Sequence, residues 1–213
     1  MDDLSFPFEQ ALVWFTHESE TPYVLVRVSE EHTKAWSAAL GVPVRRCYVT
    51  DALLEERTKA LGVPKSQILA AKLPDSGSIM AGDFGEIIVY FYQAAMQHPR
   101  EAFGPKKWRL KQDRMKPAPH SDVIHFVLPC WPTPSAEDIL LCSEVKTKST
   151  NGGSTPITEA IADCKKCRVV VPGMLSCRHR GQKTEVRRRE TTVRVPIATW
   201  SLRSFRSQRI RPQ

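Results

Sequence analysis

The chain has no apolar run approaching the roughly 20 residues that a membrane-spanning helix needs, so no transmembrane segment is expected. Its opening residues, MDDLSFPFEQ, lack the basic stretch and apolar core of a secretory signal, and a cytoplasmic location is expected. In such a compartment six cysteines in 213 residues read as thiols rather than as a disulfide framework. No internal repeat is visible, which argues against a solenoid. Acidic residues are scarce in the last quarter: residues 165–213 hold 14 Lys+Arg and 2 Asp+Glu, a local charge of +12. The overall totals are 31 and 23, so residues 1–164 carry 17 basic and 21 acidic side chains and a net charge of −4. The +8 of the whole chain therefore says nothing about nucleic-acid binding outside its final segment.

What is present reads as soluble and globular, with 41% hydrophobic and 25% charged residues. The length suits one domain, with or without an N-terminal extension. Residues 1–80 read as an N-terminal α+β subregion. Tyr23–Val28 is rich in β-branched residues and predicts a strand, and Val42–Val49 a second one. Ser29 opens a short helix that Gly41 should stop; a helix over Ala52–Leu61 should end at Gly62, and another should span Lys65–Leu73.

Residues 81–166 carry the chemistry. Gly82-Asp83-Phe84-Gly85-Glu86 leads into an element apolar nearly all round, which predicts a buried helix with Asp83 as its N-cap and Pro99 closing the segment. Glu86 at its head is expensive to bury unless it is paired or bound to a metal; the alternative is a carboxylate in a solvated first turn. The stretch Lys106-Lys107-Trp108-Arg109-Leu110-Lys111-Gln112-Asp113-Arg114-Met115-Lys116 sets six basic residues around one tryptophan. Lys106, Lys107, Arg109, Lys111, Arg114 and Lys116 are candidates for phosphate contact, with a solvated basic face as the plain alternative.

His120–Leu128 and Asp138–Thr147 predict two strands of an antiparallel hairpin, because the connection is short. A helix should follow from Pro156 to Cys164. On the strands, Asp122 and Glu144-Val145-Lys146 can reach one face, since alternate residues share a face. Phosphodiester hydrolysis needs a nucleophilic water, charge neutralisation and help for the leaving oxygen, and divalent ions supply all three. Asp122, Glu144 and the Val145 carbonyl would be ligands for Mg²⁺ or Mn²⁺, which favour hard oxygen donors. Lys146 would orient or activate the water or stabilise developing charge, and Glu86 could complete the site. His125 is three residues past Asp122 and should face the other way, in packing or a side-chain hydrogen bond.

The order Glu86, Asp122, Glu144-x-Lys146 resembles the PD-(D/E)xK nuclease superfamily. More narrowly, residues 82–86, the lysine-rich stretch, Ser121–Phe126 and Ser143–Lys146 resemble the nuclease subunits of Hachiman anti-phage defence (HamA-like). The resemblance covers residues 1 to about 166 and departs at His120-Ser121, where the family often has a glycine before the aspartate. It implies an α/β (α+β) fold with a restriction-endonuclease-like core, a mixed sheet flanked by helices. It also implies a metal-dependent DNA endonuclease controlled by a partner helicase. The other reading is a catalytically inactive, truncated relative that only binds nucleic acid or a partner.

From residue 167 to 213 the character changes to a basic segment with little periodicity, which reads as an out-of-frame or unrelated sequence, or as a disordered basic tail. Cys164-x-x-Cys167 with Cys177-x-His179 offers a further possibility, four ligands for a structural zinc.

Overall fold

A computed structural model describes residues 3–20, 23–119, 122–148, 153, 155–163 and 198–201, the last four as backbone. Helices and small sheets alternate in an α+β arrangement. A short α1 (Phe8–Trp14) runs into an antiparallel hairpin of β1 (Phe15–Glu20) and β2 (Tyr23–Val28), with Phe15 opposite Val28. The expected β2 is present, whereas α1 and β1 were not legible in a segment that mixes aromatic and acidic residues.

The strand expected at Val42–Val49 is instead the second half of α2 (Glu30–Tyr48), which passes through both Gly41 and Pro43. Its buried residues Trp36, Leu40, Pro43 and Cys47 fall at helical spacing, so one stripe continues across the two breakers. Burial of that stripe outweighs the local cost of glycine and proline. By contrast α3 (Asp51–Leu61) obeys its local signals. Thr50 accepts a hydrogen bond from the Leu53 N–H, and Gly62 closes the helix at φ 66°, where a side chain would be strained. The next helix, α4, covers Lys65–Ala70 and packs with α3 around Val49, Leu54 and Ile68.

The central element is α5 (Ser78–Ala95), with Ile87, Ile88, Val89, Tyr90 and Phe91 all buried. It is apolar around its circumference because it is covered around its circumference: α1 and α2 pack on it, and so do β3 (Val123–Val127) and β5 (Val145–Lys148). One core links Leu4, Phe6 and Trp14 with Ile87, Phe91, Trp108, Val123 and Val145. The N-terminal region and the segment from α5 to β5 thus share one interior. Because α5 starts at Ser78, Asp83 is not its N-cap but an interior residue, and Glu86 lies well past the first turn.

β3 pairs antiparallel with β4 (Ile139–Ser143), Val123 opposite Ser143, which is the expected hairpin. The single strand expected over Asp138–Thr147 breaks at Glu144: β4 stays with β3, and β5 pairs in parallel with β6 (Ala198–Ser201). Residues 156–163 form a further helix, α6. His120, Ser121, the four candidate zinc ligands Cys164, Cys167, Cys177 and His179, and most of 167–213 lie outside the described residues. No helix among the described residues is long and apolar enough to cross a membrane.

Candidate active site

Gly85 fixes how closely α5 approaches β5. A Cβ placed there would lie 1.8 Å from the Thr147 Oγ1 and 3.0 Å from its Cβ, so only glycine permits this spacing. The next residue, Glu86, lies on the same helix, which packs against β5. Its side chain is only 15% exposed. Two donors meet the same oxygen: the Lys107 ammonium at 3.0 Å from Oε2 and the Trp108 indole N–H at 3.2 Å. Both donors come from the 3₁₀ turn Lys107–Leu110. Burial pushes the Glu86 carboxyl up to about 7; Lys107 pulls it down, and the neighbouring Asp122 and Asp83 charges push it further up.

Asp122 joins the same cluster. Its Oδ1 lies 4.0 Å from the Lys107 ammonium, and its Oδ2 accepts a hydrogen bond from the Val145 N–H at 2.7 Å. That bond ties the start of β3 to the point where β4 gives way to β5. Val145 turns its side chain into the core, the face opposite Glu144 and Lys146. Lys146 bonds Glu144 Oε1 at 2.8 Å and Asp163 of α6 at 2.8 Å. These carboxylates, Asp163 foremost, hold its ammonium well above the ordinary lysine range. An ammonium held in this way is suited to orienting groups and stabilising negative charge.

Lys107 thus brings Glu86 and Asp122 together, Lys146 brings Glu144 and Asp163 together, and the Asp122–Val145 hydrogen bond ties the first group to the backbone between Glu144 and Lys146. Among the described residues no group of three or more His, Cys, Asp and Glu side chains stands as a ready metal site. The donors nonetheless suit a hard divalent ion in kind, being carboxylate oxygens in a partly buried setting. Trp108 and Asp163 were missed as site residues, and Lys107 was expected as a phosphate contact rather than as the partner of Glu86. Lys107 and Trp108 were visible only as members of a basic run, and Asp163 only as a helix residue.

Most of that basic run, Lys116 excepted, is engaged with other groups of the protein. Lys111 is buried on Asp83 at 2.7 Å, and Arg109 donates to the Arg46 carbonyl at 2.7 Å and pairs with Asp3 at 2.7 Å. Arg114 forks onto Asp75 and also reaches the Leu73 carbonyl at 3.0 Å. Lys106 lies over the Tyr90 ring, 5.7 Å from its centroid, and Lys116 is exposed beside Asp113. With Lys107 and Lys111 buried on carboxylates, the run as a whole is neither a continuous phosphate track nor a solvated basic face.

His125 is fully buried with Val123 and Val127 on the inner side of β3, out of step with Asp122. Its Nδ1–H donates to the Gln93 Oε1 at 3.0 Å, and the Gln93 amide donates to the Ser143 hydroxyl. Burial holds the imidazole down at about 4, hence neutral, with the Lys106 charge pushing the same way. It braces α5 against β3 and β4, the packing and hydrogen-bonding role its position suggested.

Fold and site together define an α+β protein with two neighbouring ion-pair groups, Glu86 and Asp122 on Lys107 and Glu144 and Asp163 on Lys146, joined through the Asp122–Val145 hydrogen bond. The chain belongs to the HamA family, whose family model matches residues 11–175. Membership of that family implies a component of the Hachiman anti-phage defence system. No match was found among curated proteins or solved structures.

Proposed function

We propose that this chain is the metal-dependent DNA endonuclease of its Hachiman system, hydrolysing phosphodiester bonds under the control of a partner helicase. The observation that supports the reading is the Asp122–Val145 hydrogen bond, which ties Asp122 to the residue between Glu144 and Lys146. Asp122, Glu144 and the Val145 carbonyl would hold Mg²⁺ or Mn²⁺. Such an ion, when bound, supplies the positive charge that phosphoryl oxygens need during displacement. Lys146, kept protonated by Asp163 and Glu144, steadies negative charge as it develops on the phosphate. Glu86, with a carboxyl near neutrality, can hold or release a proton at the working pH. Trp108 keeps that carboxylate oriented. Lys116, the exposed end of the basic run, is the natural contact for the DNA backbone.

The test is cleavage of DNA in Mg²⁺ by the full chain together with the helicase of its system. Glu144→Ala and Lys146→Ala should each abolish cutting while far-UV circular dichroism stays unchanged. Undiminished cleavage by both variants defeats the assignment. DNA that is bound at low salt but left intact in Mg²⁺ and Mn²⁺ favours the non-catalytic binding role.

A further inference from the structure

The cation between Glu86 and the candidate metal ligand Asp122 belongs to the protein itself. Lys107 enters the site from the 3₁₀ turn with its side chain only 5% exposed, and its ammonium lies 3.0 Å from Glu86 and 4.0 Å from Asp122. Few lysines are buried to that degree unless carboxylates hold them there. Two features make this pairing more than structural. The ammonium is shared between carboxylates from α5 and from the start of β3, and the second of these, Asp122, is a proposed metal ligand. Moreover, Glu86 Oε2 already has a second donor, the Trp108 indole, on a rigid ring that is almost wholly buried. If the flexible lysine withdraws, the indole keeps Glu86 aimed at the site.

We propose that Lys107 is a tethered counter-cation: it occupies the Glu86–Asp122 pair while no ion is bound, and its ammonium must withdraw for a divalent ion to load. The site is then self-neutralised at rest, and the affinity for metal is set by competition with Lys107. Lys146 cannot take this part, because Glu144 and Asp163 already flank it at 2.8 Å each. The inference rests on the metal-dependent reading of the same site, and it adds a device that holds the centre back until it is loaded. It places Lys107 as a positioning and gating residue, not as a catalytic one.

The experiment measures Mn²⁺ binding to the full chain by the electron paramagnetic resonance signal of the free ion. Wild type, Lys107→Met, Lys107→Arg and Glu144→Gln are compared. Removing the competing charge should tighten Mn²⁺ binding at least tenfold in Lys107→Met, leave Lys107→Arg near wild type, and Glu144→Gln should bind weakly. A lysine that merely props up the ligands would give the opposite sign, weaker binding in Lys107→Met. Equal or weaker binding in Lys107→Met, with Glu144→Gln still impaired, overturns the counter-cation and leaves the metal reading standing. Absence of binding in both wild type and Lys107→Met overturns both. A second measurement on wild type needs no substitution: labelling by an amine-directed reagent, read by mass spectrometry. Lys107 should be protected without Mn²⁺ and labelled with it, and unchanged protection overturns the proposal.

Discussion

Two lysine–carboxylate pairs connect the same two segments, one turn of α5 apart, and they differ in almost everything but composition. Lys111 meets Asp83 at 2.7 Å with both side chains 3% exposed, and the Tyr48 hydroxyl donates to the same Asp83 Oδ2 at 2.9 Å. Lys107 meets Glu86 at 3.0 Å, but this pair has an open side and a second carboxylate, Asp122, within reach. The first is sealed and satisfied and contributes by holding the 107–111 segment to the helix. The second is partly exposed and carries a carboxyl pushed up to about 7. Burial, partners and exposure, rather than residue type, separate a structural clamp from a site with chemistry left to do.

The largest expected effect breaks the sealed clamp. Lys111→Met leaves Asp83 buried without its cation and should cost about 3–5 kcal/mol of stability in urea unfolding. Glu86→Gln should cost far less while eliminating DNA cleavage. Equal losses at the two positions would erase the distinction between clamp and site.

The next effect sharpens the comparison through pH. The Glu86 carboxyl is raised from 4.5 to about 7, so between those values the folded protein keeps a proton that the unfolded chain has released. Raising pH through that window therefore lowers stability, by an amount on the order of 3 kcal/mol, and above about 7 no further loss accrues. His125 acts in the opposite sense: its depressed value near 4 means that stability falls as pH drops from 6.5. The difference between wild type and Glu86→Gln isolates the first contribution. A pH-independent difference would show that Glu86 is not held in its proton-binding state.

Gly85→Ala should follow, at roughly 1–3 kcal/mol, because Thr147 leaves no room for a Cβ and α5 must move off β5. The same displacement should depress cleavage more than stability alone explains, measured at a temperature where the variant remains folded. Smallest of all is Lys116→Ala. This exposed lysine should weaken DNA binding uniformly across sequences and reduce the slope of log affinity against log salt by about 1, with stability unchanged.

The candidate residues stood out in the sequence because the Glu144-x-Lys146 spacing is a local pattern. The β3–β4 hairpin, the Gly62 stop and the inward turn of His125 were legible for the same reason. What escaped depended on contacts distant in sequence. The helical stripe Trp36–Leu40–Pro43–Cys47 overrode two local breakers because a neighbouring surface covers it. Lys107 and Lys111 looked like a surface charge run, yet their partners Glu86 and Asp83 lie on a helix that precedes them, and only folding brings them together. The break at Glu144 follows from the Asp122–Val145 bond, which no spacing rule within either strand announces.

The central claim, that Asp122 and Glu144 form one metal centre with Glu86 beside it, is tested most directly by anomalous diffraction from crystals grown with Mn²⁺. The account predicts one strong anomalous peak in contact with Asp122 and Glu144 carboxylate oxygens and the Val145 carbonyl. Under the same conditions the Lys107 ammonium should be displaced from Glu86. A Mn²⁺ peak bound elsewhere, with Lys107 still seated between Glu86 and Asp122, would contradict it.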